Sequence, residues 1–212
     1  QQSVHRFDGP WQAIQQYLGL ARLRECWSDG GDGPGPNMDD ARLRDAYLKG
    51  ACLLIRRSVY EQIGGFDERF FFYSDEADWQ KRMRAAGWNL AYRHTAPPVT
   101  HLIGESGKTD RLRFTLHYYA ARDQYMAKHF GVIGLLLYRA GVLAWCLRKF
   151  AQLAWWRMHP TRHGNPFAVK VHAFLLRTLP LPPGRLPKAV ARTLSHEGQD
   201  NSAASPVTQG AG

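Results

Sequence analysis

The chain has 212 residues, of which 44% are hydrophobic and 12% aromatic, and its formal net charge is +10. This apolar content is sufficient for a packed core and excludes a globally disordered protein. The three cysteines, Cys26, Cys52 and Cys146, are too widely separated to form a disulfide framework or a metal-binding pair, which favours a reducing compartment. No signal peptide follows Gln1, so we interpret the start as a cut or a fragment boundary.

The positive charge is concentrated in one segment. Residues 1–110 carry 14 Lys/Arg against 15 Asp/Glu, a net charge of −1. Residues 111–192 carry 14 Lys/Arg against the single acid Asp123, a net charge of +13. A segment this basic is expected to bind phosphate, either in lipid headgroups or in nucleic acid.

The first half of the chain predicts two short helices and one strand. Apolar residues at helical spacing predict an amphipathic helix within residues 11–25. The apolar run at residues 50–55 has the length of a strand that is buried on both faces. Ser58, followed three positions later by Glu61, matches a capping box and predicts a short helix over residues 59–63.

An acidic helix start follows a pair of glycines. Gly64 and Gly65 predict a helix stop and a sharp turn, because glycine adopts backbone angles that other residues avoid. After an aromatic segment, Asp75 is predicted to cap a helix over residues 77–86, which Gly87 ends.

Three carboxylates fall within four residues at this helix start: Asp75, Glu76 and Asp78. The helix macrodipole favours each of them by roughly 0.3–1 kcal/mol. Three acids are more than capping requires, which indicates a functional cluster. The structural alternative is capping together with an ion pair between Asp78 and Arg82 at i,i+4 spacing.

The remaining predicted elements are one alternating segment and several helices. Residues 88–92 alternate as a strand would, and residues 99–101 form a short extended piece that ends in His101. Residues 112–130 are a strong helix candidate, which Gly131 stops.

Two further apolar stretches, residues 132–158 and 167–179, are also predicted to be helical. Their uninterrupted apolar runs are shorter than the roughly 20 residues that span a bilayer. Tryptophans alternate with basic residues in the first stretch, as in helices that lie in a membrane interface: Trp145, Trp155, Trp156, Arg148, Lys149 and Arg157. The alternative is an ordinary pair of core helices with a basic exterior. Binding to nucleic acid is disfavoured, because the segment is strongly apolar between its charges and has no nucleic-acid motif.

Five short motifs follow one another in a fixed order between residues 47 and 130. They are Gly50-Ala51 with Arg56-Arg57, Gly64-Gly65-Phe66-Asp67-Glu68-Arg69-Phe70-Phe71, Asp75-Glu76-Ala77-Asp78, Ala86-Gly87-Trp88 and Val99-Thr100-His101. This succession resembles the C-terminal half of a family 2 glycosyltransferase of the GT-A fold, near its rhamnosyltransferase-like members.

The resemblance implies an α/β fold class: the C-terminal portion of a GT-A (Rossmann-like) domain, followed by a basic, aromatic-rich helical region. It divides the chain into four parts. Residues 1–46 are a lead-in helix and a mobile loop, and residues 47–130 are the acceptor-side half of the domain. Residues 131–192 are basic, membrane-proximal helices, and residues 193–212 are a disordered tail.

Inverting glycosyl transfer requires a base for the acceptor hydroxyl, and a carboxylate crowded by others is suitable because crowding and burial raise its pKa. The family places its base at the second position of Glu-Asp, whereas this sequence has the reversed order Asp75-Glu76. The resemblance therefore implies Glu76 as the base, with Asp75 as the alternative.

The resemblance also implies roles for other residues. Residues that shape the acceptor pocket are Gly50, Ala51, Gly64, Gly65 and Asp67, and Asp78 with Arg82 positions the site. His101 would help bind a divalent metal, Mg or Mn, although a histidine in this setting is more often a satisfied strand-end residue. The Asp-x-Asp motif that completes such a metal site does not occur in this chain at the expected place, so the nucleotide-binding half would have to be supplied from outside it.

We therefore expect a fragment of a membrane-associated, nucleotide-sugar-dependent inverting glycosyltransferase that adds a sugar to a cell-envelope polysaccharide or lipid-linked glycan. Its expected partners are a nucleotide-sugar donor, a glycan or lipid-linked acceptor and an anionic membrane surface, with no nucleic acid. The expected location is cytoplasmic, on the inner face of the plasma membrane. The isolated chain is expected to lack transferase activity. The alternative is a non-catalytic remnant that binds a glycan, a lipid or a partner chain.

Overall fold

A computed structural model describes residues 4–7, 9–18, 43–93, 111–158 and 166–185 of the chain. The elements are β1 (Val4–Arg6), α1 (Pro10–Leu18), β2 (Ala46–Leu48), α2 (Arg57–Ile63), α3 (Asp75–Ala85), α4 (Arg111–Met158) and α5 (Pro166–Thr178). The two strands pair antiparallel, with Val4 opposite Leu48. The described part is thus mostly helical with one small sheet. It gives no fold-level evidence on the GT-A architecture, which stays a prediction.

The strand predicted at residues 50–55 is wrong. These residues are irregular, and Leu54 within them is fully exposed. The strand forms earlier, as β2, because β1 pairs with one edge of residues 46–48. Beside that pairing, the Gln80 side chain accepts a hydrogen bond from the Leu48 N–H (2.8 Å) and donates one to its C=O (2.6 Å). This side chain occupies the backbone groups that a further strand would use.

Helix α2 forms where it was predicted, but without the capping box. Arg56 holds the N-cap position and makes no side-chain capping bond. Glu61 instead accepts a hydrogen bond from Arg57, at 2.8 Å between Nε and Oε1. Gly64 ends the helix with φ of +74°, as the glycine pair predicted.

Helix α3 begins two residues earlier than predicted, so the prediction that Asp75 is its cap is wrong. Asp75 is its first residue, and Ser74 lies at the N-cap position with a left-handed backbone and no side-chain capping bond. Gly87, with φ of +86°, follows the end of the helix as predicted. Residues 88–92 show the expected alternation of burial, but only Tyr92 makes a bridge, so no strand forms there.

Helix α4 consists of two arms that are separated by Gly131, where the backbone is not helical (φ 64°, ψ −163°). The predicted helix over residues 112–130 and its stop at Gly131 are therefore confirmed. We call residues 111–130 the first arm and residues 132–158 the second arm. The predicted helices at residues 11–25 and 167–179 correspond to α1 and α5, with residues 19–25 lying outside the described part.

Helix α1 packs along the second arm at two glycines that are seven residues, about two turns, apart. A Cβ atom on Gly134 would lie 3.2 Å from Pro10, and one on Gly141 would lie 3.3 Å from the Cα of Ile14. The missing side chains therefore allow the two helix backbones to approach closely.

Two apolar clusters form the core, and α3 takes part in both. The helical cluster joins α1, α4 and α5 and includes Tyr17, Tyr125, Met126, Tyr138, Val142 and Leu175. The second cluster surrounds the sheet and includes Leu43, Ala46, Val59, Trp79, Met83 and Leu90. Ala77 of α3 belongs to the first cluster, whereas Trp79 and Met83 belong to the second. The acidic start of α3 is thereby fixed between the two cores.

Candidate active site

Glu76 lies in the first turn of α3, with its side chain against the backbone of Gly50. Glu76 and Gln80 are four residues apart and share one face of the helix. The Gln80 side chain forms hydrogen bonds with the backbone N–H and C=O of Leu48. Glu76 contacts Gly50, which is two residues after Leu48. A Cβ atom on Gly50 would lie 3.4 Å from Cβ of Glu76. The Gly50 N–H also donates a hydrogen bond to the Glu76 carboxylate.

The environment of Glu76 opposes its ionisation. Burial, followed by a hydrogen bond with the side chain of Asp75, raises the pKa of Glu76 from 4.5 to about 7, although the Gly50 N–H favours the charged form. Both protonation states are therefore populated near neutral pH. A carboxylate with such a pKa is suited to accept a proton during a reaction at physiological pH.

Asp78 is two residues away and has the opposite environment. It is fully buried and accepts hydrogen bonds from Arg82 Nε (2.9 Å) and His129 Nε2 (2.7 Å). Lys128 Nζ lies 2.6 Å from the same carboxylate. Burial opposes the charge, but the bonds from His129, Lys128 and Arg82 outweigh it and lower the pKa of Asp78. Asp78 is thus a structural anion, and its i,i+4 ion pair with Arg82, the structural alternative, is present; a role in positioning substrates stays a prediction.

The Gly64-Gly65 turn is tied to α3 by side-chain donors. Arg82 donates one hydrogen bond to the C=O of Ile63 (2.8 Å) and one to the C=O of Gly65 (2.7 Å). The indole N–H of Trp79 donates to the C=O of Gly64 (2.8 Å). These contacts give the glycine pair a structural role in orienting α3; their predicted role in acceptor binding stays a prediction.

Asp67 extends the ion network of Asp78 to the turn before α3. Arg69 forms a two-pronged contact with the Asp67 carboxylate through Nε and Nη2, the shorter distance being 2.6 Å. Lys128 Nζ lies 2.6 Å from Asp67 as well as from Asp78, so one ammonium bridges the two acids. The hydrogen bond from Arg69 makes the largest contribution to lowering the pKa of Asp67.

The two residues before Asp75 are strained. Tyr73 (φ 68°) and Ser74 (φ 62°) are the non-glycine residues with positive φ in the described part of the chain. Such backbone conformations cost on the order of 1–3 kcal/mol each and cluster at functional sites. The Tyr73 ring packs edge-on against Phe72 (4.4 Å) and Tyr118 (5.5 Å) and stays 39% exposed. Burial raises the pKa of Tyr73, and the charges of Tyr118 and Glu76 add to the effect, which locates the ring beside the candidate base.

The structure thus brings together some of the predicted site residues. Glu76, Asp75 and Gly50 form one group, and Asp67, Asp78 and Arg82 belong to the neighbouring ion network. Ala51 is exposed next to Gly50. His101 lies outside the described residues. Within the described ranges, no group of three His, Cys, Asp or Glu side chains could hold a metal ion, so the Mg or Mn expectation stays a prediction.

Sequence reasoning missed Lys128, His129 and Tyr73. Lys128 and His129 meet Asp78 across about fifty residues of chain, a contact that only the packing of α4 on α3 creates. The sequence does show Lys128 and His129 just before the helix-stopping Gly131, but this position alone gave no indication of their partner. Tyr73 lies next to the acidic residues in the sequence. Its positive φ could not be predicted, because tyrosine rarely adopts such a backbone conformation.

Comparisons with known proteins give one partial likeness. Over 72 residues, 34% of its length, the chain is 38% identical to the N-acetylglucosaminyl-diphospho-decaprenol L-rhamnosyltransferases of two strains of Mycobacterium tuberculosis. The matched part is 24% of those proteins, so the chain spans about a quarter of the length of the curated relatives that it matches. No family model and no solved structure matches. The likeness supports a relationship to glycosyltransferases in general.

Proposed function

We propose that this chain carries the acceptor side of an inverting, nucleotide-sugar-dependent glycosyltransferase of family 2, with Glu76 as its general base. The observation that carries the proposal is the Glu76 carboxylate, held against Gly50 beside Asp75 with its pKa raised to about 7. The partial likeness to rhamnosyltransferases supports the reaction class. Asp78, two residues away, is neutralised by cations and would orient α3.

In the proposed reaction the ionised Glu76 carboxylate removes the proton from an acceptor hydroxyl. The acceptor oxygen attacks the anomeric carbon of the donor sugar and forms the new glycosidic bond. The bond to the nucleoside diphosphate breaks at the same carbon, and the leaving group departs with the electron pair. Glu76 ends the step protonated and releases the proton to solvent. The exposed face of Tyr73 would form an aromatic wall beside the hydroxyl-bearing acceptor sugar.

The matched relatives suggest the substrate class. Their name describes the transfer of L-rhamnose to a diphospho-decaprenol-linked N-acetylglucosamine. For this chain we propose a nucleotide-activated sugar as the donor and a lipid-linked glycan of the cell envelope as the acceptor, used at the inner face of the plasma membrane. A divalent metal would neutralise the charge on the departing diphosphate. His101 is the residue of this chain proposed to contact it.

The test uses the protein expressed from its whole gene, with any sequence that precedes Gln1. Turnover of nucleotide-activated L-rhamnose is measured on a short-chain polyprenyl-diphospho-N-acetylglucosamine. Glu76→Gln keeps the shape of the side chain and removes its basicity, so kcat is expected to fall by about 10²–10⁴-fold. The matched control is Glu61→Gln on the exposed face of α2, which should leave turnover unchanged.

Other outcomes have distinct meanings. If Glu76→Gln retains activity and Asp75→Asn loses it, the base is Asp75. If both variants turn over as the wild type does, neither carboxylate is the base and the proposed mechanism is wrong. If the wild type itself binds the acceptor but transfers no sugar, the non-catalytic remnant is the better description. Turnover by residues 1–212 alone would overturn the expectation that a separate donor-binding half is required.

A further inference from the structure

The second arm of α4 is apolar on two opposite faces. Its inward face is buried against α1 and α5 and carries Leu135, Tyr138, Val142 and Cys146. Its outward face continues at i, i+3, i+4 and i+7 spacing, as on a single side of a helix. It carries exposed Val132 (71%), Ile133 (75%), Leu136 (60%), Leu137 (45%), Leu143 (39%) and Leu147 (58%). We call this set the outer stripe.

The structure corrects the sequence prediction at one residue, Trp145. The alternation of tryptophans and basic residues suggested that Trp145 faces a membrane, yet the Trp145 ring packs inward against Tyr17 (5.6 Å) and His172 (4.2 Å). Because both faces of the helix are apolar, the sequence shows no single apolar side. The aliphatic residues of the outer stripe, not Trp145, are the ones presented outward.

The charge around the outer stripe has one sign. Residues 124–192 contain no Asp or Glu. The nearest acid, Asp123, is occupied by Arg139, whose Nη2 lies 2.7 Å from its carboxylate. Arg148, one residue beyond the stripe, is exposed. An apolar stripe that has a cation at its end and no acid in the surrounding sequence matches an anionic lipid surface, which offers hydrocarbon beneath negatively charged headgroups.

A spanning orientation fits the geometry less well. By length and composition alone, α4 could cross a membrane, since residues within Arg111–Trp155 reach a mean hydropathy of 1.8, although a third of that window is buried inside the protein. The inward face, however, is covered by α1, which bears Gln12 and Gln15. A spanning second arm would carry these amides into hydrocarbon, where polar groups are costly. The outer stripe itself covers 16 residues, about 24 Å of helix.

A second copy of the chain is also a poor occupant. Two outer stripes in contact would bring Arg148 and its basic neighbours together with no acid between residues 124 and 192 to pair with them. Like charges at an interface disfavour association. Anionic headgroups satisfy the same cations instead.

We propose that the second arm of α4 lies in the plane of an anionic membrane and inserts the outer stripe, Val132 to Leu147, among the lipid chains. Arg148 then lies at headgroup level. Because only one face inserts, α1 and α5 stay on the aqueous side. This inference concerns the outer stripe alone and does not depend on the assignment of Glu76.

The test is co-sedimentation of the full chain with two kinds of vesicle at several salt concentrations. One kind is pure phosphatidylcholine, and the other also contains about 30% of the anionic lipid phosphatidylglycerol. The wild type is expected to bind the anionic vesicles at least tenfold more tightly, with binding that weakens as salt rises. Replacing Leu136, Leu143 and Leu147 by Ser should reduce binding at least tenfold. The matched control is Leu54→Ser, which removes an equally apolar but fully exposed side chain outside the stripe and should change binding less than twofold.

A second measurement does not require these substitutions. Trp155 is 58% exposed about two helical turns beyond the end of the outer stripe, so brominated lipids should quench the part of the tryptophan fluorescence that Trp155→Phe removes. The proposal is overturned if the wild type binds neither vesicle, or if the triple variant binds as tightly as the wild type. It is also overturned if light scattering shows a dimer that the triple variant converts to a monomer, because the stripe would then be a contact between copies.

Discussion

The two faces of α3 place their carboxylates in opposite electrostatic environments. On the face toward β2, Glu76 meets an uncharged backbone and the carboxyl of Asp75, and its pKa rises to about 7. On the face toward α4, Asp78 meets Arg82, Lys128 and His129, and its pKa falls. When two acids in an active site have environments that push their pKa values apart, one commonly transfers protons and the other stays ionised. The comparison indicates that Glu76 is available for proton transfer, whereas Asp78 holds the helix in place.

The largest expected effect comes from removing the buried charge of Asp78. Asp78→Asn leaves Lys128 and Arg82 next to a buried neutral amide, and removing one partner of a buried ion pair typically costs about 3–5 kcal/mol. We expect the free energy of unfolding, measured by urea denaturation at pH 7, to fall by that amount. Asp45→Asn, at an exposed position, is the control. A loss below 1 kcal/mol would show that the ion network does not stabilise the fold.

The second effect concerns the face that carries Glu76. The unfolded chain releases the Glu76 proton near pH 4.5 and the folded chain only near pH 7, so stability falls as the pH rises between these values. Glu76→Gln removes this buried charge. We expect the variant to be more stable than the wild type by about 3 kcal/mol at pH 8.5, with the difference vanishing near pH 4. Thermal denaturation across this pH series measures it, and equal stability at every pH would contradict the raised pKa.

A smaller effect is expected at the ammonium shared by the two acids. Lys128→Met keeps most of the side-chain volume and removes the charge between Asp67 and Asp78. Asp67 keeps Arg69, and Asp78 keeps Arg82 and His129, so the loss should be only about 2 kcal/mol. Lys49→Met, outside this network, serves as the control in the same urea titration. If the Lys128 variant is as stable as this control variant, the contact of Lys128 with Asp67 and Asp78 does not stabilise the fold.

The smallest expected effect on stability comes from the strained backbone of Ser74, at the start of α3. Ser74 has φ of +62°, a conformation that glycine adopts without strain. Ser74→Gly should therefore raise the free energy of unfolding by about 0.5–1 kcal/mol, since relief of strain exceeds the entropy that glycine adds to the unfolded chain. Ser58→Gly, inside α2, is expected to change stability by a similar amount with the opposite sign. The same sign for both substitutions would argue against strain at Ser74.

Local signals in the sequence predicted the helix ends well. The end of α2 at Gly64, the end of α3 before Gly87 and the break at Gly131 each depend on a glycine with positive φ, and these positions were identified. The acidic cluster that includes Glu76 was also visible, because three acids in one helical turn exceed what capping needs; the role of Glu76 as a base stays a prediction.

What the sequence did not predict depends on tertiary contacts. The strand fell at residues 46–48 rather than 50–55, because β1 and the Gln80 side chain decide which backbone groups are paired. The different environments of Glu76 and Asp78 arise from Gly50 on one side and Lys128 on the other, neither of which a local pattern connects to α3. The outer stripe was hidden because apolar residues cover both faces of one helix.

The break at Gly131 folds α4 back on itself. Arg139 of the second arm lies 2.7 Å from the Asp123 carboxylate of the first arm, and the Trp145 ring lies 6.1 Å from that of Tyr119. In one continuous helix, residues 123 and 139 would be about 24 Å apart. A single glycine thus converts a long helix into a hairpin, so the first arm, which anchors α3, and the second arm, which carries the outer stripe, form one packed unit.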